Sequence, residues 1–195
     1  MTKENLEREI VGAFSGNAYP GDAQLITHPC AECDRAANAF RGLKWSDFPK
    51  NAKRIIAENS IGFISFLSPR AFQFFLPGFM LAVINDYKTA GVATDSIINV
   101  FEKPSKSDWL GTIDKITGKR ADELKEALKS APYDEMEAQS DYLALMKLFS
   151  AAQLKAIVSF LVFLKQTHPD DEPVEKIDRA VSSINAWISG SSDIR

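Results

Sequence analysis

Ser68-Pro69-Arg70-Ala71-Phe72-Gln73-Phe74-Phe75-Leu76-Pro77-Gly78-Phe79-Met80-Leu81-Ala82-Val83-Ile84 is the stretch that decides the fold. Ser68 before Pro69 reads as a helix start. A serine hydroxyl accepts from a free backbone N–H of the first turn, and proline suits the first helical position, whose N–H has no partner to lose. The spacing predicts a helix running to about Tyr87. Phe72, Phe75, Leu76, Phe79, Met80, Val83 and Ile84 fall along one face, and Phe74, Pro77 and Leu81 make the other side apolar too. A helix that is apolar all round must be wrapped by other elements, so this one is expected at the centre. Pro77 removes an internal hydrogen bond and is expected to kink it.

The wrapping elements read as helices as well. Leu6, Ile10, Ala13 and Phe14 recur at helical spacing, which predicts a helix over residues 3 to 15 that stops near Gly16. Tyr19-Pro20-Gly21-Asp22 has the composition of a type II turn. Pro29 is expected at the first position of a short helix that carries Ala36, Ala37 and Phe40 to Gly42, and Pro49 opens another to about Glu58. The run Ile61 to Leu67 has strand-like composition but no convincing partner strand, so a helix or extended packing segment is expected. Asp95 to Phe101 follows, and then residues 102 to 140 are more polar. They are broken at Pro104, Gly111, Gly118 and Pro132, with a surface helix over Ala121 to Ala131.

Ser150-Ala151-Ala152-Gln153 is a capping box, and Leu154, Ile157, Val158, Leu161 and Leu164 mark the buried stripe of the helix it opens. His168-Pro169 closes that helix. Pro173 opens a last one, with Val174, Ile177, Val181, Ile184 and Ile188 at near-heptad intervals. That stripe lasts about two repeats, fewer than a coiled-coil seam needs, so it reads as core and the two helices as an antiparallel hairpin. The expectation is an all-α protein: a single compact multi-helix domain over residues 1–195, with a central buried, proline-kinked helix and a C-terminal helical hairpin.

Composition sets the outer bounds on function. A chain of 195 residues buries roughly 70% of its extended surface without help from disulfides or metal. Lys and Arg total 23 against 26 Asp and Glu, a net charge of -3, and no basic run offers the footprint that phosphate neutralisation demands. Nucleic acid is not an expected partner. Residues 1–9 mix acid and base without the apolar region of a secretory signal, and the apolar stretch Ile61 to Ile84 is interrupted by Ser68, Pro69, Arg70 and Gln73. No membrane partner is expected, and residence is expected to be cytoplasmic, where cysteines stay as thiols.

One short segment concentrates chemistry: His28-Pro29-Cys30-Ala31-Glu32-Cys33 holds both cysteines and one of the two histidines of the chain. Thiolate and imidazole are ligands that zinc prefers, and this spacing at a helix start can aim three of them at one ion. The fourth ligand is expected from His168, which would complete a Cys2His2 set, or from a carboxylate of Asp22, Glu32 or Asp34. The same Cys-x-x-Cys pair can be redox-active, because a helix N-terminus favours the thiolate, although the βαβ surroundings of a thioredoxin-like protein are absent. A plainer alternative makes the cysteines small apolar residues at the helix start with His28 capping it. Elsewhere the signals are structural. Trp45, Trp109 and Trp187 read as core or interface anchors. The acidic groups Asp134, Glu135 and Glu137, and Asp170, Asp171 and Glu172, read as surface charge, the second set complementing a helix dipole. Phosphate-loop, dinucleotide, His-Glu-x-x-His and Gly-x-Ser-x-Gly motifs are all absent.

Tyr19-Pro20-Gly21-Asp22, His28-Pro29-Cys30-Ala31-Glu32-Cys33, Leu67-Ser68-Pro69-Arg70-Ala71-Phe72 and Phe75-Leu76-Pro77, in that order, resemble a bacterial family of small helical proteins that carry a domain of unknown function. Phe149 to Ile157, continuing into Ser159-Phe160-Leu161, is similar to that family's closing helix. The resemblance spans roughly residues 10 to 90 and 148 to 166, and residues 102 to 140 have no counterpart in it. It implies bacterial origin and an all-helical domain, and it assigns no role to His28, Cys30 or Cys33.

Two functional expectations follow. The first is a non-enzymatic module that binds another protein, of the immunity or regulatory kind. The second is a zinc protein, structural or hydrolytic, with His28, Cys30, Cys33 and His168 as metal residues. No catalytic residue and no organic cofactor is expected from the motifs present.

Overall fold

The computed structural model of the chain describes residues 1–50, 64, 66–90, 92–114, 116–118, 120–130 and 134–190. These are helical with short connections: α1 (Lys3–Phe14), α2 (Ala31–Phe40), α3 (Pro69–Asn85), α4 (Tyr87–Ala90), α5 (Val92–Phe101), α6 (Lys106–Asp114), α7 (Ala121–Ser130), α8 (Glu135–Met146), α9 (Ala151–Thr167) and α10 (Val174–Gly190). Single 3-10 turns lie at Asp22–Gln24 and Trp45–Asp47. The fold is all-α. Among the described residues the one extended pairing is an isolated antiparallel bridge between Ile26 and Leu67.

α3 is the axis of the core. Ser68 caps it, with its Oγ accepting from the Ala71 N–H at 3.2 Å, and every residue from Phe74 to Ile84 is buried. α1 and α5 pack against it, as do α4 and the turn at Trp45–Asp47. Phe75, with no exposed surface, lies among the rings of Phe40, Phe48, Phe74 and Tyr19. Gly78 is where the Trp45–Asp47 turn comes closest: a Cβ there would lie 2.7 Å from both the Phe48 ring and the Trp45 carbonyl. α3 ends at Asn85, two residues short of the expected Tyr87. Asp86 leaves the helical region at φ -146°, and Tyr87 begins a separate short turn of helix.

The C-terminal hairpin forms as read. Ser150 and Gln153 make both halves of the capping box, and Leu154, Ile157, Leu161 and Leu164 are buried while Val158 is half-buried. α10 runs back along α9, and Lys165, late in α9, pairs with Asp178, early in α10, at 2.6 Å. Ile177 and Ile184 of α10 are fully buried inside this one chain, so the stripe is core, while Val181 and Ile188 lie half-buried at its edge. A polar chain locks the start of α9 to the rest: Gln153 donates to Asn17 Oδ1 at 2.7 Å, Asn17 donates to the Gln73 carbonyl at 3.2 Å, and Gln73 donates to the Leu148 carbonyl.

Several local expectations are corrected. Gly21 takes the positive φ expected of it, 89°, but its ψ of 151° is far from the value near zero that a type II turn requires. Pro29 lies outside α2. Cys30, extended at φ -157° and ψ 162°, is the N-cap, so the helix begins at Ala31 and His28 does not cap it. The polar section is more helical than expected, with α6 and α8 flanking the anticipated surface helix α7. Residues 48–50 are helical, at the start of the helix expected from Pro49; the rest of that helix, residues 51–58, and most of the Ile61 to Leu67 run lie outside the described residues. Among the described residues no single helix is long and apolar enough to cross a membrane.

Candidate metal and thiol site

α2 supplies the scaffold of the site. Its first turn places Cys33 at the same side as Cys30, one turn apart, because residues at i and i+3 stack on one helix face. Cys30 Sγ accepts from the Cys33 N–H at 3.0 Å, which fixes the first sulfur at the positive end of the helix. The two sulfurs are bonded to each other, with Cα atoms 5.0 Å apart. Cys33 is fully buried, Cys30 half-buried and His28 exposed.

His28 folds back over the pair, and its Nε2 lies 3.5 Å from Cys33 Sγ. One ligand atom from each of His28, Cys30 and Cys33 lies within 4.8 Å of the other two. The three residues singled out from spacing alone are therefore together in space. The proposed fourth is not: among the described residues neither His168 nor Asp22, Glu32 or Asp34 joins the cluster. Asp22 instead pairs with Arg41 at 3.5 Å and accepts from the Tyr19 hydroxyl at 2.7 Å.

His168 closes α9, donating its N–H to the Leu164 carbonyl at 2.8 Å. A helix C-cap so far along the chain is set by the α9 to α10 connection and not by anything in the His28 segment. Its ring stacks on Tyr87 with centroids 3.5 Å apart. The Tyr87 hydroxyl donates to Glu172 Oε1 at 2.8 Å, and these groups line a cleft of about 670 Å³ with Thr94, Asp95, Lys88 and Asp171.

Glu172, read from the sequence as surface charge, is in fact only 7% exposed. Its neighbours Asp170 and Asp171 gave no sign of this, since an acidic run before a helix looks the same whether one member turns inward or not. Burial raises the Glu172 carboxyl above its ordinary value, while hydrogen bonds from Thr94 and Tyr87 pull it back. Burial and the bond to Glu172 raise the Tyr87 phenol in turn.

A carboxyl whose folded pKa lies above its unfolded value holds its proton longer when folded. Its contribution to stability is complete at low pH and is lost as pH rises through the folded pKa. Glu172→Gln keeps an acceptor for Tyr87 without the charge. The variant is expected to gain on the native protein in melting temperature as pH rises from about 4 to 7. A gap that narrows over that range contradicts the burial argument.

Comparison with family models, with curated proteins and with solved structures yields no match to this chain.

Proposed function

We propose that this chain is a zinc-binding protein whose site is His28, Cys30 and Cys33 in the reduced state. The convergence of the three ligand atoms within 4.8 Å carries the reading. Zinc bonds of about 2.3 Å to sulfur and 2.0–2.1 Å to nitrogen, arranged tetrahedrally, put neighbouring ligand atoms roughly 3.3–3.8 Å apart. Cys33 Sγ and His28 Nε2 already stand at 3.5 Å. Reduction of the disulfide frees the two sulfurs to part to the same spacing.

Two soft thiolates and an imidazole suit zinc better than magnesium or calcium, which take oxygen ligands. The described residues supply three protein ligands, and a solvent molecule on the side of exposed His28 would complete the four that zinc takes. An open fourth position is the arrangement of catalytic zinc sites and not of closed structural ones. Recognition of another protein has less behind it. The large apolar side chains at the surface, Met1, Val11, Leu124, Met136 and Leu143, are spread over four parts of the chain, and single exposed apolar residues are ordinary.

Metal analysis by mass spectrometry tests the proposal, on untagged protein purified under reducing conditions without a metal column. Close to one zinc per chain is expected in the native protein and none in Cys30→Ser. Native protein without zinc after reduction and incubation with the metal contradicts it.

A further inference from the structure

We infer that Cys30 and Cys33 are a thiol–disulfide exchange pair, Cys30 attacking and Cys33 resolving, that acts on low-molecular-weight disulfides of the glutathione type. The inference rests on the two thiols alone and needs neither a metal nor a fourth ligand.

Burial separates the roles. Cys33 has no exposed surface, whereas Cys30 is half-buried at the end of α2, so the Cys30 sulfur is the one an external disulfide can reach. A half-buried sulfur is open to a small disulfide more readily than to one held on a flat protein surface. Cys30 is also the sulfur that the helix start holds in place. It accepts the Cys33 N–H at 3.0 Å and sits at the N-terminus of a ten-residue helix, where the free N–H groups favour negative charge. Exchange proceeds through the thiolate.

The second half of the reaction is equally provided for. The Cα atoms of the pair are 5.0 Å apart, inside the range that a disulfide spans without backbone movement. His28 Nε2, 3.5 Å from Cys33 Sγ, can take the proton of the resolving thiol. In sequence, the Cys30 thiolate attacks one sulfur of the substrate disulfide, forms a mixed disulfide and expels the first thiolate. Cys33 passes its proton to His28 and its sulfur attacks Cys30, which forms the Cys30–Cys33 disulfide and expels the second thiolate. Two electrons move from the pair to the substrate, which leaves as two thiols once protonated by His28 and solvent.

The reduced protein, with a chelator present so that zinc withholds neither thiol, is mixed with oxidised glutathione and followed by intact mass. The native chain is expected to close to its internal disulfide without a lasting adduct, Cys33→Ser to hold one glutathione on Cys30, and Cys30→Ser to form its adduct at least about tenfold more slowly. Equal adduct rates in the two variants, or a native chain that accumulates adducts without closing, overturn the inference. If circular dichroism shows that Cys33→Ser does not fold, an acid quench of the native reaction followed by peptide mapping decides instead. A transient adduct on Cys30 supports the assignment, and one on Cys33 overturns it.

Discussion

Phe75→Ala is expected to lower stability by about 3–5 kcal/mol, the range for removing a fully buried aromatic ring from a packed core. The ring has no exposed surface and meets Phe48 in a stacked contact at 5.7 Å, Phe40 at 5.0 Å and Phe74 at 4.9 Å. Its neighbours come from α2, α3 and the segment after Trp45, so no single element can relax to fill the space. Urea denaturation followed by circular dichroism measures the change. A loss below about 1 kcal/mol would mean that the site collapses around the missing ring, and that α3 is less tightly wrapped than its burial implies.

The reason this residue is singled out was visible in the chain itself. An apolar helix flanked by Ser68-Pro69 has few ways to satisfy both its caps and its faces, so its central place followed from composition and 3.6-residue spacing. The capping box at Ser150 and the hairpin beyond it were equally legible, because each depends on residues within one turn or one short connection. What was not legible depends on partners distant in the chain. Glu172 turns inward because Tyr87 and Thr94, roughly eighty residues earlier, meet it there. Asp86 ends α3 where the sequence offers no glycine or proline to signal a stop.

The site divides along the same line. His28, Cys30 and Cys33 are close in sequence, and a helix start suffices to bring them together, so their clustering could be read in advance. Assigning His168 to the same cluster required a contact across the whole fold, and its place at the C-cap of α9 against Tyr87 is decided by the hairpin connection. Which residue caps α2 turned on one dihedral pair: Cys30 is extended, so its own sulfur takes the capping role expected of His28.

His28→Ala is expected to weaken zinc binding by more than about 100-fold, since losing a direct ligand costs at least as much as losing a supporting contact. His28 is exposed, so the substitution leaves the core untouched and the melting temperature of the metal-free protein should hardly change. Competition against a chromophoric chelator gives the affinity. Unchanged affinity would remove the imidazole from the site and leave a two-thiolate ligand set. The exchange chemistry of Cys30 would persist in this variant, because attack on an external disulfide uses the Cys30 thiolate, while closure by Cys33 would slow.

X-ray absorption at the zinc edge of the reduced, zinc-loaded protein tests the central claim most directly. A first shell with two sulfurs at about 2.3 Å and nitrogen or oxygen neighbours at about 2.0–2.1 Å is the result predicted for Cys30, Cys33, His28 and one solvent ligand. A shell of nitrogen and oxygen alone would place the metal elsewhere on the chain and contradict the assignment.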